Sequence, residues 1–196
     1  MKLILASGSP RRADVLRRAG FVIETIETRV EEVHSAGETP EAYVQRLAVE
    51  KARAAASDLL DTAESTFVIG ADTTVVARGH MLEKPVDAKD AERMLRVMSG
   101  NWHEVLTGVS VLAFPAEKEV NFVDKTRVQL LELTEEEIEQ YVASGEPFGK
   151  AGAYAIQGIA GRYVQRVEGC YFNVMGLPLS RVWLALRSMG WKDAPL

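Results

Sequence analysis

The chain has 196 residues, of which 47% are hydrophobic and 26% are charged. This size and composition are typical of one soluble globular domain, residues 1–196, and they exclude collagen-like, coiled-coil and disordered proteins. The net charge of −5, from 23 basic and 28 acidic residues, argues against a protein that binds nucleic acid polymers.

The charge is unevenly distributed along the chain. Residues 1–20 contain five basic residues against one acidic residue, Asp14, so this segment carries a local charge of +4 and the remainder carries −9. A short basic segment in an acidic protein cannot hold a long nucleic-acid backbone, but it can hold a small polyanion.

The sequence also indicates the cellular compartment of the protein. The single cysteine, Cys170, cannot form an intramolecular disulfide, and a reducing environment is the simpler interpretation. The short apolar run at the start precedes its charges, unlike a secretory signal, and no stretch approaches the ~18 apolar residues that a membrane span requires. We therefore expect a cytoplasmic protein without a membrane partner.

In the first part of the chain, apolar runs bounded by turn residues alternate with segments of helical period. In chain order, the pattern predicts a strand at 3–6, a helix at 10–19, a strand at 21–26, a helix at 40–59 and a strand at 67–71. This alternation is typical of the α/β class.

The second part of the chain continues with both element types. The pattern predicts a helix that Asp87 caps and Gly100 ends, then two neighbouring strands at 105–114 and 120–133. Thr134 and Glu137 form a capping box that opens a helix through residue 143. The remaining predicted elements are short strands at 154–156 and 163–167 and a helix at 179–189.

The segment between the first strand and the first helix is a candidate phosphate site. Ser9 stands at the N-cap position, and Pro10 at the first helical position. Arg11 and Arg12 then occupy the first turn, where the helix dipole disfavours cations by roughly 0.3 to 1 kcal/mol each. A bound anion reverses that penalty. The alternative is a pair of solvated arginines on an exposed turn.

Two further residues, Lys51 and Asp72, are candidates for a functional site because of their positions in the predicted elements. Lys51 lies within the apolar stripe of the predicted helix at 40–59, so it either reaches the helix edge or meets a buried anion. Asp72 follows the apolar strand at 67–71, at the end where α/β folds bind ligands. It can hold a divalent ion or accept a proton from water, with Thr73 as a polar neighbour. The alternative is an Asp that forms a turn.

Three weaker candidates lie in loops. Glu31 and Glu32 are adjacent carboxylates, either a metal partner for Asp72 or solvated acids. Lys84 precedes a proline at the end of a turn predicted at 78–83, and it is either a phosphate contact or a surface lysine. Gln157 lies among small residues, where its amide can read a donor and an acceptor on a base edge; the alternative is a tight strand corner.

Together these motifs resemble the Maf family of nucleoside triphosphate pyrophosphatases. The matching segments, in family order, are ASGSPRR at 6–12, VEE at 30–32, LAVEKA at 47–52, GADTTV at 70–75, LEKP at 82–85, MLRVMSG at 94–100, HEVLTGV at 103–109 and KAGAYAIQG at 150–158. The last segment is similar to the branch that acts on dTTP and UTP. Gly149 and Ala155 differ from the usual Asp and Gly of the family.

The resemblance implies a fold, an activity and a set of residue roles. The fold would have a mixed, elongated central sheet flanked by helices, with a ligand cleft between two lobes. The activity would be hydrolysis of dTTP, UTP or modified pyrimidine nucleotides to the monophosphate and pyrophosphate, a housecleaning role in the nucleotide pool. The implied catalytic residues are Asp72, Lys51 and Lys84. The implied substrate-binding residues are Ser7, Ser9, Arg11, Arg12, Thr73 and Gln157, of which Arg12, Thr73 and Gln157 match positions linked to base preference.

The resemblance also implies a cofactor and an assembly. Asp72 and Glu31 would hold Mg²⁺ or Mn²⁺, and the protein would form a homodimer. The alternative function is a nucleotide-binding regulator of cell division and septum formation that needs no turnover. Turnover of dTTP or UTP favours the enzyme, whereas tight binding without product favours the regulator.

Overall fold

The structure of the chain is a computed structural model that describes residues 1–57, 64–116 and 118–192. Strands and helices are interspersed along the chain, with two pairs of consecutive strands in its middle part. The strands are β1 (Lys2–Ala6), β2 (Glu24–Thr25), β3 (Thr66–Ala77), β4 (His80–Leu82), β5 (Trp102–Phe114), β6 (Lys118–Leu130) and β7 (Val164–Glu168). The α-helices are α1 (Pro10–Arg18), α2 (Pro40–Ala56), α3 (Ala88–Met98), α4 (Glu135–Ala143), α5 (Tyr171–Val174) and α6 (Leu179–Ser188). Two 3₁₀ helices span Ala151–Ala153 and Ile159–Tyr163.

The strands form one mixed sheet. Its order is β2-β1-β3-β5-β6-β7, and β4 pairs with β3 outside this path. β1 is parallel to both β2 and β3, whereas the β3–β4 and β6–β7 pairs are antiparallel. The predicted α/β class with a mixed sheet is therefore confirmed.

The chain divides into two compact units. The first consists of Met1–Asp72, Thr107–Asp124 and Gly176–Leu196, and the second of Thr73–Leu106 and Lys125–Met175. The first unit contains an apolar cluster in which β1 and β3 pack against α2, with Ile4, Ala6, Ala52, Ala55, Ala56, Val68 and Leu112 as members. A larger cluster in the second unit includes Leu82, Met94, Leu95, Met98, Ile138 and Tyr141.

Two glycines let α2 approach the sheet of the first unit at short range. A Cβ atom at Gly70 of β3 would collide with the backbone oxygen of Ala48, and one at Gly108 of β5 with the backbone oxygen of Val44. Because both collisions are with helix backbone, no side-chain rotation relieves them. This close packing fixes the helix that carries Lys51 directly over β3.

We expect Gly108→Ala to lower the free energy of unfolding by at least about 2 kcal/mol, because the helix backbone must move to admit the methyl group. Gly79→Ala is the matched control, since Gly79 has a φ of +78° but nothing within 4 Å of an added Cβ. Its cost is about 1 kcal/mol of backbone strain. Urea denaturation of the two variants measures the difference. Equal costs would contradict the close approach of α2.

Most of the predicted helices agree closely with the structure. Asp87 caps α3 by accepting from the Asp90 amide at 2.8 Å, and the Thr134–Glu137 capping box of α4 is complete. The helix predicted at 40–59 begins at Pro40 but ends at Ala56, with Ser57 as its C-cap, and residues 58 and 59 lie outside the described residues.

The strand predicted at 21–26 is wrong in length, since β2 contains only two residues. The amide of Phe21 donates to the Leu16 carbonyl at the end of α1 and so is not available for a strand. The aromatic ring of Phe21 packs edge-on against Trp183, with 6.0 Å between centroids. A helix termination therefore takes the place of the first predicted strand residues.

Two predictions in the second unit are also wrong. Residues 154–156 do not form a strand, because the Ala155 amide donates to the Tyr141 hydroxyl instead of to a neighbouring strand. The segment from Arg78 to Glu83, predicted as a turn, contains β4, which pairs with β3 through a hairpin at Arg78 and Gly79.

Candidate functional site

The turn between β1 and α1 brings Ser7 and Arg12 together. The Ser7 hydroxyl oxygen accepts from the Ser9 amide at 3.2 Å and from Nη1 of Arg12 at 3.0 Å. With both lone pairs engaged, the hydroxyl retains one hydrogen to donate. The side chain of Ser9 makes no capping hydrogen bond, and the first turn of α1 contains no acidic residue. This positive helix start can therefore receive an anion.

Arg12 is held on the inner face of α1 rather than in solvent. It is 9% exposed, and its Nε donates to the Gly176 carbonyl at 2.8 Å. Burial lowers the pKa of Arg12 from its ordinary value, while the charges of Asp72 and Glu32 act in the opposite direction. The solvated-arginine alternative is thus excluded for Arg12. Arg11, which precedes Arg12 in the same helical turn, is half-buried.

Lys51 joins two carboxylates. Its Nζ lies 2.6 Å from Oδ1 of Asp72 and 2.6 Å from Oε1 of Glu32. The side chains of Lys51 and Asp72 are each only 9% exposed, and that of Glu32 is 34% exposed. Lys51 therefore faces inward and meets a buried anion, one of the two outcomes that its place in the apolar stripe predicts.

Asp72 lies within a strand and not at its end. β3 continues to Ala77, so the prediction that the strand ends before Asp72 is wrong. The parallel ladder with β1, however, stops at the pair Ala6–Gly70. Asp72 therefore lies just beyond the carboxyl end of the parallel β1–β3 ladder, and the carboxyl ends of parallel strands are where ligands bind in α/β folds.

The acidic partner of Lys51 in the loop before α2 is Glu32. Glu31, which the resemblance implies as a metal ligand, and Glu32 are both exposed residues, but it is the Glu32 side chain that lies against Lys51. Glu32 is further connected to α2 because its carbonyl accepts from the Tyr43 hydroxyl at 3.3 Å. The sequence singles out the acidic pair, but it does not show which member faces Lys51. Gly176, the partner of Arg12, carries no signal of its role beyond its place in a turn before Pro178.

The carboxylates of this cluster suit a hard divalent cation. Carboxylate oxygens are ligands that Mg²⁺ prefers, and it is commonly bound through one or two of them together with substrate phosphates and water. Among the described residues, no three His, Cys, Asp or Glu side chains group closely enough to hold a metal alone. The carboxylates of Asp72 and Glu32, both bonded to Lys51, are the groups of this cluster that could hold such a cation.

The remaining candidates belong to the second unit. Thr73 is half-buried in β3, next to Asp72 in the chain, and Lys84 is exposed just after β4. Gln157 is exposed in a turn between the two 3₁₀ helices. The first unit therefore brings together Ser7, Arg12, Lys51 and Asp72, while Thr73, Lys84 and Gln157 are carried by the second.

His103 packs under the segment that carries Gln157. It is 2% exposed, and its Nε2 is 2.8 Å from the Tyr154 hydroxyl, with the two rings edge to face. Burial lowers the pKa of His103 to about 4. The folded protein thus keeps this imidazole neutral at pH values where an unfolded chain protonates it.

We expect His103 to make the protein sensitive to acid. Because its pKa is lower in the folded chain than the usual value of 6.5, the stability that the neutral ring contributes is present above pH 6.5 and is lost as the pH falls toward 4. The loss amounts to about 3 kcal/mol. Urea denaturation between pH 7 and pH 4 should show a smaller decrease for His103→Gln than for the wild type. His80→Gln, at an exposed position, is the control, and parallel curves for all three proteins would contradict the expectation.

The helices of the structure can also be compared with the requirements of a membrane span. Among the residues that it describes, no helix combines the length and the apolarity needed to cross a bilayer.

The chain is similar to known proteins over nearly its whole length. The family described as Maf-like protein matches residues 2–189. A protein of Koribacter versatilis (strain Ellin345) named dTTP/UTP pyrophosphatase is 50% identical over 190 residues, which cover 97% of this chain and 95% of the relative. A protein with the same name from Geobacillus sp. (strain WCH70) is 47% identical, and the alignment covers 97% of this chain and 99% of the relative. Another from Geotalea uraniireducens (strain Rf4) is 49% identical, and the alignment covers 96% of this chain and 95% of the relative.

Proposed function

Because this chain belongs to the Maf-like protein family, we propose that it hydrolyses dTTP and UTP to the nucleoside monophosphate and pyrophosphate, as the names of its relatives indicate for those proteins. The observation that carries the proposal is the buried ion pair of Lys51 with Asp72, which Glu32 shares. The charges of both carboxylates also act on Arg12. This cluster combines a proton acceptor with cations suited to a triphosphate.

Asp72 is the proton acceptor in this reaction. Its Oδ1 is held by Lys51, which leaves Oδ2 to take a proton from a water molecule. The water oxygen forms a bond to the α-phosphorus, and the bond between that phosphorus and the α–β bridging oxygen breaks. The electron pair of the broken bond leaves with pyrophosphate.

The cations and the helix start bind the triphosphate. Arg11 and Arg12 provide guanidinium donors, which match phosphate oxygens in geometry and charge. The Ser7 hydroxyl supplies a further donor from the β1–α1 turn. Charge that develops on the leaving pyrophosphate is stabilised by these groups and by Lys51.

We assign the cofactor as Mg²⁺ or Mn²⁺, held by Asp72 and one acidic residue of the loop before α2. The resemblance names Glu31, whereas the ion pair with Lys51 supports Glu32. When bound, such an ion neutralises phosphate charge and acidifies a coordinated water.

The other roles rest on the family resemblance. Lys84 contacts phosphate, Thr73 and Gln157 contribute to base preference, and Ser9 contributes to substrate binding. A cytoplasmic location and a homodimer stay predictions from the sequence.

A substrate panel tests the proposal. Purified protein would be incubated with dTTP, UTP, dCTP and dATP, with Mg²⁺, with Mn²⁺ and with excess EDTA, and pyrophosphate and orthophosphate would be measured separately. We expect pyrophosphate from dTTP and UTP in the presence of metal and none with EDTA. Tight nucleotide binding without any product would instead support the regulator, and orthophosphate as sole product would contradict cleavage between the α and β phosphates.

A further inference from the structure

Gln157 is carried by a tight turn with fixed ends. The Gly158 amide donates to the Ala155 carbonyl at 3.0 Å, which closes a four-residue turn with Ile156 and Gln157 in its centre. The 3₁₀ helix Ile159–Tyr163 begins directly after it. The position of the Gln157 amide therefore depends on how firmly this turn is held.

Two residues outside the turn hold it. The Tyr141 hydroxyl of α4 accepts from the Ala155 amide at 3.3 Å, at the start of the turn. The Glu146 carboxylate accepts from the Ile159 amide at 3.0 Å and from the Ala160 amide at 3.3 Å, just after its end. Tyr141 also donates to Oε1 of Glu146 at 2.9 Å, so one connected pair of side chains anchors both ends.

The carboxylate of Glu146 lies directly against the turn backbone. A Cβ atom at Gly158 would collide with Oε2 of Glu146, so glycine is needed there for the carboxylate to reach the amides behind it. Burial alone raises the pKa of Glu146, but the hydrogen bonds from Ile159, Tyr141 and Ala160 outweigh it, and its pKa is lowered. The charged carboxylate thus caps the 3₁₀ helix.

The anchor is separable from the core packing around it. The Tyr141 ring packs edge-on against the Tyr163 ring, with 6.1 Å between centroids. The Tyr163 hydroxyl is instead bonded to Nη2 of Arg162. Loss of the Tyr141 hydroxyl alone therefore leaves the aromatic pair in place while freeing one end of the turn.

We propose that Tyr141 and Glu146 are positioning residues for base selection, which hold the turn so that the Gln157 amide meets the edge of a thymine or uracil base. The proposal rests on the proposed function and deepens it. An amide distinguishes a carbonyl acceptor and ring N–H donor, as in thymine and uracil, from the amino group and ring acceptor of cytosine only when its own orientation is fixed. A side chain on an unanchored turn can adapt to both patterns.

The test measures base preference in matched variants. Tyr141→Phe and Glu146→Gln would be compared with Tyr163→Phe and Glu136→Gln, whose groups lie outside the anchor, and kcat and KM would be determined for dTTP, UTP and dCTP. We expect each anchor variant to reduce the preference for dTTP over dCTP by about tenfold, through a higher KM for dTTP. The two control variants should retain the wild-type preference.

A double-variant comparison separates positioning from general destabilisation. If the anchor acts through Gln157, then Tyr141→Phe should have no further effect on base preference in a Gln157→Ala background. Amide hydrogen exchange at Ala155, Ile159 and Ala160 gives a readout that needs no substrate, and exchange there should accelerate in both anchor variants. Folded variants with accelerated exchange but unchanged base preference would overturn the proposal. Failure of the wild type to release pyrophosphate from dTTP would instead refute the proposed function.

Discussion

Asp72→Asn is expected to lower kcat for dTTP hydrolysis by about a thousandfold, because removal of a general base typically costs 10² to 10⁴ in rate. The asparagine oxygen can still accept from Lys51 Nζ, so the local geometry is retained, but the amide cannot take a proton from water. KM should change by less than about threefold, since the contribution of Asp72 is made in the transition state.

Asp124→Asn is the matched control for this variant. Asp124 is also a partly buried carboxylate of the first unit, and it is paired with Arg181 at 2.8 Å. Its replacement should leave kcat within about twofold of the wild type, because Asp124 is not among the residues proposed to act on the substrate. Steady-state pyrophosphate release measures both variants. An Asp72→Asn rate within tenfold of the wild type would contradict the role of Asp72.

Lys51→Met is expected to reduce both stability and activity. Removal of the ammonium leaves the buried carboxylate of Asp72 without its partner and next to the carboxylate of Glu32. Breaking a buried pair in this way costs about 3 kcal/mol of unfolding free energy at pH 7. Loss of a cation from the phosphate site should also lower kcat/KM for dTTP by at least about a hundredfold.

Lys2→Met provides the comparison for Lys51. Lys2 pairs with Glu24 at 2.7 Å, but these side chains are 32% and 61% exposed. Its loss should cost less than about 1 kcal/mol, because water screens the pair. Urea denaturation and steady-state kinetics of the two variants make the comparison. Equal stabilities would show that Lys51 is not the partner that neutralises Asp72.

The parts of the fold that the sequence predicts well are those specified by near neighbours in the chain. The caps of Asp87 and Thr134 act within three residues, and the inward face of Lys51 follows from helical period alone. Each depends on side chains within one or two turns of the same helix. Such features are therefore visible before any tertiary contact is known.

The features that the sequence does not predict depend on distant partners. Arg12 donates to Gly176, which lies 164 residues away, and no local pattern marks that carbonyl. The distinction between Glu31 and Glu32 is made by the position of Lys51, which the loop sequence does not contain. That residues 154–156 do not form a strand likewise reflects the hydrogen bond of the Ala155 amide to the Tyr141 hydroxyl. In each case a tertiary hydrogen bond decides the local structure.

Hydrolysis of dTTP in ¹⁸O-labelled water, followed by mass spectrometry of the separated products, tests most directly whether Asp72 directs water to the α-phosphorus of the nucleotide. We expect one ¹⁸O atom in the dTMP and none in the pyrophosphate, with label incorporation reduced in parallel with kcat in Asp72→Asn. Label in the pyrophosphate, or dTDP and orthophosphate as products, would contradict it.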